Sequence, residues 1–217
     1  MNINPFVVSG KIAPEHFCDR VSEAAQLVKM LSNQVNVVLT SPRRMGKTSL
    51  VDFVFDKPEI KANHVVVVVD ILHTTTFREF ILSIGTAVFN GVASRSARMR
   101  KQFVTILKSL SASFGYDPIQ NMPTFDVKLG DVQRPEYTLG EIFAYLEAVD
   151  KRCLVVIDEF QQITRYPEKN VEALLRSHTQ RMANANFVFS GSQRRLMEEM
   201  FFSAKRPFYQ SASLLRI

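Results

Sequence analysis

Residues 41–48 have the residue types of a phosphate-binding loop. The usual pattern is a glycine, four variable residues and then Gly-Lys-Ser/Thr, and Ser41 stands here in place of the first glycine. In such a loop, backbone N–H groups and the positive end of the following helix bind phosphate oxygens. Lys47 would then reach the β- and γ-phosphates of a nucleotide, and the Thr48 hydroxyl would bind Mg2+. The alternative is a surface turn that is rich in arginine.

Two adjacent acids, Asp158 and Glu159, follow a short apolar run at residues 153–157. If this run is a strand, Asp158 lies near the metal and can hold a metal-bound water. Glu159 can polarise the water that attacks the γ-phosphate. Strands commonly end in acids, so the pair alone is a weak signal. Located 110 residues after Thr48, it supplies the half of a metal-phosphate site that the loop lacks.

Charged residues at two other strand ends have more than one interpretation. Asp70 ends a run of five valines and could orient metal-bound water, stabilise the pair Arg43 and Arg44, or cap the strand end. Arg194 and Arg195 open a helix after the apolar residues 187–189. An arginine near a γ-phosphate stabilises the charge that develops in phosphoryl transfer, but both residues could equally be surface arginines.

Short apolar runs predict the strands that would position these residues. They are uninterrupted, which is typical of parallel strands covered by helices on both faces. The predicted strands are 35–40, 64–71, 153–157, 187–189 and 212–217.

Helical periodicity separates most of these runs. Asp19 is a candidate N-cap for a helix before the first strand, and residues 76–110 form a helical pattern with a break near Asn90 and Gly91. Residues 138–141 have the form of a capping box that opens a helix to about residue 151. Another helix is predicted from Pro167.

Composition indicates a folded domain in a reducing compartment. The 217 residues carry a net charge of +6, which is compatible with nucleic acid as a partner. Arg95, Arg98, Arg100 and Lys101 could contact nucleic acid or simply form a solvated helix face. The two cysteines match no metal spacing. The first residues lack the apolar segment of a signal peptide, and no run reaches membrane-spanning length, so a cytoplasmic protein without membrane contacts is expected.

These stretches together resemble the archaeal-type ATPases, a branch of the signal-transduction (STAND) P-loop NTPases related to the AAA+ proteins. That family often carries a residue other than glycine at the first loop position. The resemblance lies in Phe17-Cys18-Asp19-Arg20 with Glu23, residues 41–50, Asp158-Glu159-Phe160-Gln161, Leu175-Arg176 with Gln180, Phe189-Ser190-Gly191-Ser192, and Arg206-Pro207-Phe208-Tyr209.

The resemblance implies an α/β fold, a P-loop NTPase three-layer sandwich. Its parallel five-stranded sheet has the order 5-1-4-3-2, is flanked by helices, and binds ATP or ADP with Mg2+ at its carboxyl edge. Residues 1–217 would form a single ATPase domain with an inserted loop or hairpin at 112–137. The helical lid and winged-helix domain of the family would be absent.

The same resemblance assigns roles to individual residues. Lys47 and Glu159 would be catalytic, and Arg176 would be an arginine finger or relay, or would brace its helix against the sheet. Thr48 and Asp158 would bind the metal. The tip of the strand after the acidic pair is where related ATPases sense the γ-phosphate, which makes Ser190 and Ser192 candidates. The predicted nucleotide-binding residues are Pro42, Arg43, Arg44, Met45, Gly46, Lys47, Thr48, Ser49, Phe17, Arg20 and Ser192.

Phe17 and Arg20 precede the first strand and could contact adenine, or they could be a core residue and a surface residue. Three functions remain open from the sequence. The first is a magnesium-dependent ATPase that uses nucleotide as a conformational switch. The second is a regulatory module that binds nucleotide without hydrolysis and changes the affinity for a protein partner or a second copy. The third is a nucleic-acid-associated ATPase, suggested by the basic charge.

Overall fold

The computed structural model describes residues 20–42, 45–109, 113–117, 122–126 and 132–217. Three predicted nucleotide-binding residues, Phe17, Arg43 and Arg44, lie outside these ranges, and so does the predicted N-cap Asp19.

Five parallel strands form the central sheet. They are β1 (Val37–Thr40), β2 (His64–Asp70), β5 (Arg152–Asp158), β6 (Ala185–Gly191) and β7 (Ser213–Arg216). Their order is β2-β5-β6-β1-β7. Numbered along the chain within this sheet, that order is 2-3-4-1-5, so the predicted order 5-1-4-3-2 is confirmed. The α/β class is confirmed with it.

Helices cover both faces of the sheet because successive strand residues point to opposite faces. One face packs against α1 (Val21–Ser32), α2 (Lys47–Phe55) and α3 (Pro58–Asn63). The other packs against α4 (Phe77–Gly91), α5 (Ala97–Ile106), α6 (Pro135–Glu147), α7 (Val171–Thr179) and α8 (Arg194–Phe202). In β5, Val155 and Ile157 face the second group of helices, whereas Leu154 and Val156 face the first. Within the described residues, no helix is both long and apolar enough to cross a membrane.

The long helical pattern after β2 is interrupted where it was predicted to be. The Thr76 hydroxyl caps α4 by accepting a hydrogen bond from the Glu79 N–H at 3.2 Å. The helix ends at Gly91, where a Cβ would lie 2.9 Å from the Val66 carbonyl oxygen. A short 3-10 helix, Ala93–Arg95, then leads into α5.

Two predicted helix starts are wrong. Helix α6 begins at Pro135 rather than at a capping box on Thr138, because proline at the first position has no N–H to satisfy. Glu141, the expected box acid, accepts hydrogen bonds from the Lys108 and Ser109 N–H groups at 3.2 and 3.1 Å. Helix α7 begins at Val171 rather than near Pro167.

A 3-10 helix and a hairpin complete the described elements. The 3-10 helix, Phe160–Arg165, follows β5 directly. Strands β3 (Ser113–Asp117) and β4 (Met122–Asp126) pair antiparallel as a separate two-stranded sheet.

A cluster of buried phenylalanines fixes the 3-10 helix against the sheet. The Phe160 ring lies 4.6 Å from Phe189 in β6 and 5.3 Å from Phe208, between ring centroids. Phe201 of α8 packs 5.0 Å from Phe208. Buried aromatic pairs at these separations are favourable beyond the area they bury. The chain immediately after Asp158 is therefore held by its neighbours.

Candidate active site at the carboxyl edge of the sheet

Residues 41–46 lie between β1 and α2, and Lys47 and Thr48 begin α2, which is the strand–loop–helix order that a phosphate-binding loop requires. Gly46 is the N-cap of α2 with φ 78°, in the left-handed region that favours glycine. Ser41 is fully buried, and its hydroxyl donates to the Pro42 carbonyl oxygen at 3.0 Å. Ser41 is not among the described residues with positive φ. The backbone conformation therefore favours glycine at position 46 but does not require it at position 41.

The Lys47 ammonium lies between the two predicted acids. Its Nζ is 3.5 Å from Asp158 Oδ1 and 3.4 Å from Glu159 Oε1. Lys47 is only 8% exposed, so these contacts are partly shielded from water. The loop that follows β1 and the acids at the end of β5 thus share one site, although Lys47 and Glu159 are 112 residues apart in sequence.

Glu159 adopts an unusual backbone conformation for a residue with a side chain. Its φ of 54° and ψ of 39° lie in the left-handed region, which costs on the order of 1–3 kcal/mol for such a residue. Hydrogen bonds to its carboxylate offset this strain. Oε2 accepts one from Gln161 Nε2 at 2.6 Å and one from the Ser192 hydroxyl at 2.7 Å.

These neighbours keep Glu159 ionised. Burial acts to raise the pKa of its carboxyl, but the hydrogen bonds from Ser192 and Gln161 and the charge of Lys47 outweigh burial, and the pKa lies below its ordinary value. Glu159 therefore carries the negative charge that a general base needs.

The residues at this edge fit a magnesium ion. Thr48 lies exposed in the first turn of α2, and Asp158 ends β5 with its Oδ1 beside Lys47. A hydroxyl and one carboxylate are hard oxygen ligands, and Mg2+ takes its other ligands from water and substrate phosphates. When bound, the ion would neutralise charge on the phosphate oxygens.

Other predicted residues lie around the loop. Arg20 is beside it, with its Nε 3.9 Å from where a Cβ on Gly46 would be. Pro42 and Met45 are exposed in the loop, and Ser49 is half-buried in α2. Asp70 is level with Asp158 in the register of β2 and β5, and its Oδ1 accepts a hydrogen bond from the Leu72 N–H at 2.8 Å. This contact matches one of the interpretations of Asp70 from the sequence, a cap at the end of the strand.

Arg176 and Arg194, which were predicted to act near the γ-phosphate, lie on helices. Arg176 is half-buried in α7, and its Nε and Nη1 find no hydrogen-bond partner among the described residues. Burial lowers the pKa of its guanidinium. The structure gives Arg176 no contact with Lys47 or Glu159. Arg194 is a surface residue whose Nε lies 3.4 Å from Glu198 Oε1.

Gln161 is a site residue to which sequence reasoning assigned no role. The sequence places it two residues after Glu159, but only the left-handed turn at Glu159 brings its amide back to the carboxylate. The Asp158-Glu159-Phe160-Gln161 stretch contributes to the family resemblance, and it is the sequence signal that could have indicated a role for Gln161.

Solved structures share this fold. A Walker-type ATPase of Pyrococcus abyssi superposes with a TM-score of 0.64 at 18% identity, over 99% of this chain and 57% of that one. The ORC2 protein of Aeropyrum pernix, in its ADPNP-ADP complexes, gives 0.59 at 18% identity, over 93% and 48%. The ORC1 protein of the same organism, in complex with DNA, gives 0.51 at 14% identity, over 93% and 45%. No protein-family model and no curated protein matches the chain.

These comparisons show that the chain shares its fold with a Walker-type ATPase and with the ORC1 and ORC2 proteins. The chain spans about half the length of the structures that it matches, from 45% to 57%. At identities of 18% or less, the likeness concerns architecture.

Proposed function

We propose that the protein is a magnesium-dependent ATPase that uses nucleotide as a conformational switch, in the manner of the archaeal-type ATPases. One observation carries the proposal. The Lys47 ammonium lies within 3.5 Å of both Asp158 and Glu159. This supports a site in which Lys47 would bind phosphate, Asp158 would bind the metal and Glu159 would act as the base. The nucleotide complexes of a structure with the same fold support ATP and ADP as ligands.

In the proposed reaction, Lys47 leaves the two carboxylates and binds β- and γ-phosphate oxygens. The N-terminus of α2 and the loop N–H groups bind the remaining phosphate oxygens. Thr48 and Asp158 would hold the metal, which would neutralise charge on the phosphate oxygens. Glu159 accepts a proton from the attacking water as the new bond to the γ-phosphorus forms. The bond from that phosphorus to the β–γ bridging oxygen breaks, and ADP leaves with the electron pair.

Phosphate release by the purified protein tests the proposal. Lys47→Ala should lower the rate by about 100-fold or more, since a preorganised charge at a transition state contributes this much. Glu159→Gln should keep nucleotide affinity and lose about 100-fold or more in turnover, as expected for a general base. Lys205→Ala and Glu59→Gln, which alter exposed residues, should match wild type.

If wild-type protein and both folded site variants release phosphate at one rate, the hydrolase assignment is wrong. Tight nucleotide binding without turnover would then identify a regulatory module. We further propose that Arg176, from the same chain or from a second copy, stabilises the charge on the γ-phosphate.

DNA is a second candidate ligand, since a structure with this fold was solved with DNA. A gel shift that weakens with salt is the signature of phosphate contacts, and its absence at low salt would remove DNA from the proposal.

A further inference from the structure

The two oxygens of the Glu159 carboxylate have different surroundings. Oε2 accepts hydrogen bonds from Gln161 at 2.6 Å and Ser192 at 2.7 Å. Oε1 instead faces Lys47, with Nζ 3.4 Å away. Because Lys47 is the residue proposed to bind the phosphates, Oε1 marks the phosphate side of the carboxylate.

We propose that Gln161 is a positioning residue which, with Ser192, holds one oxygen of Glu159 so that the other faces the bound phosphates. This inference rests on the proposed function, since it names the residue that orients the proposed base. The donors come from two different parts of the chain. Gln161 belongs to the 3-10 helix after β5, and Ser192 follows β6.

The packing around Gln161 shows that its position is built into the fold. Gln161 is 1% exposed. A Cβ on Gly191 would lie inside van der Waals contact with Gln161 Oε1 and 2.7 Å from Met197 Sδ. Glycine at position 191 therefore gives the glutamine the room to reach Glu159. Gln161 Oε1 has no hydrogen-bond partner among the described residues, so the amide acts here through its donor.

A glutamine suits this role chemically. Its amide donates a hydrogen bond but carries no charge, so it orients the carboxylate without forming an ion pair. During hydrolysis, Oε1 would take the proton of the attacking water while Oε2 keeps both hydrogen bonds. A carboxylate without these donors would rotate, and its oxygens would spend less time aligned with the water.

Gln161→Met tests the inference, because methionine has a similar length but no amide donor. The adjacent Gln162→Met is the matched control, since Gln162 is also buried but donates to the Thr74 carbonyl oxygen at 2.9 Å. Each variant is made in the wild-type background and in the Glu159→Gln background. Phosphate release gives kcat and KM, and Ser192→Ala serves as the second test variant in case Gln161→Met does not fold.

We expect Gln161→Met to lower kcat by about tenfold or more and to leave KM within about twofold, because orientation of the base affects the transition state and not binding. In the Glu159→Gln background, the same change should alter the residual rate by less than about twofold, because residues that act as a unit are not additive. Gln162→Met should leave kcat within about twofold of wild type. Equal losses from Gln161→Met in both backgrounds, or from both glutamine variants, would overturn the inference.

A measurement without turnover separates this inference from the proposed function. In 1H–15N spectra of nucleotide-free protein, the side-chain amide pair missing from Gln161→Met identifies Gln161. We expect that pair to exchange slowly with solvent, to shift in Glu159→Gln, and to stay in place in Gln162→Met. If the pair does not respond to Glu159→Gln, the inference is wrong even if the protein hydrolyses ATP. If the amide pair shifts in Glu159→Gln but the wild-type protein releases no phosphate, the proposed hydrolysis is wrong, whereas the hydrogen bond between Gln161 and Glu159 is confirmed.

Discussion

Replacing Gly191 by alanine should have two opposite effects on stability, a gain from backbone entropy and a loss from overpacking. In a strand, alanine normally stabilises relative to glycine by about 0.5–1 kcal/mol, because the unfolded chain loses less freedom. Gly191 ends β6 without positive φ, so its backbone accepts alanine. The added methyl would nevertheless lie inside contact distance of Gln161 Oε1 and 2.7 Å from Met197 Cγ.

The packing term should win, because both neighbours are enclosed. Met197 is 0% exposed and Gln161 is 1% exposed, so neither can turn into solvent. Overpacking costs about 1–3 kcal/mol, and the upper half of that range, about 2–3 kcal/mol, applies here because the methyl would lie inside contact distance of two enclosed side chains. Subtracting an entropic gain of about 0.5–1 kcal/mol leaves a net destabilisation of about 1–2.5 kcal/mol. For a chain of this size, each kcal/mol changes Tm by about 2–4 °C, so Gly191→Ala should lower Tm by about 2–10 °C.

Urea unfolding followed by circular dichroism measures this free energy, and Gly85→Ala is the matched control. Gly85 is a buried glycine of α4, where a Cβ would meet Ile142 Cδ1 at an ordinary 3.6 Å. That variant should be stabilised by up to about 1 kcal/mol. If Gly191→Ala is as stable as wild type, the close approach of Gln161 and Met197 to Gly191 does not exist in solution.

Two further predictions concern a helix cap and acid stability. Thr76→Ala should lower the free energy of unfolding, measured in urea, by about 1 kcal/mol, because the Glu79 N–H loses the hydroxyl that accepts its hydrogen bond. Thr105→Ala within α5 is the control and should be neutral or stabilising. Equal effects of the two changes would contradict the cap. The pKa of Glu159 is below its ordinary 4.5 in the folded protein, so its contribution to stability is present above that value and lost as pH falls through the folded pKa. Glu159→Gln should therefore flatten the stability–pH curve below pH 4.5, and an unchanged curve would refute the assignment.

Much of the sheet could be predicted from residue types. Uninterrupted β-branched runs such as the valines of β2 predict strands, and the strand order followed from the family resemblance. The expectation that helices cover both faces is wrong for β2, because it is an edge strand and its Val68 is exposed. Short-range signals were less reliable. Thr138 and Glu141 have capping-box spacing, but Pro135 starts the helix and Glu141 binds the backbone after α5. Tertiary contacts decide which of two local signals is used, and the sequence does not show them.

The contact between Gln161 and Glu159 could not be predicted for a different reason. It depends on a left-handed residue that is not glycine, and on a glycine in another strand that leaves room for an amide. Neither condition has a local sequence pattern. Arg98 illustrates the same limit on the surface, where its guanidinium lies 3.5 Å from Asp150 Oδ2, a pairing that composition alone does not indicate.

The order of the strands in the sheet explains why Lys47, Glu159 and Ser192 meet at one site. Glu159 comes directly after β5, and Lys47 begins the helix that the loop after β1 leads into. Strand β6 lies between β1 and β5 in the sheet. The residue that follows β6, Ser192, is thereby placed where it can reach Glu159. If β1 and β5 were direct neighbours, the loop lysine and the acids could still meet, but no strand end would lie between them to supply a second donor. The order 5-1-4-3-2 therefore brings the phosphate loop to the acids and also places a third strand end to orient one of them.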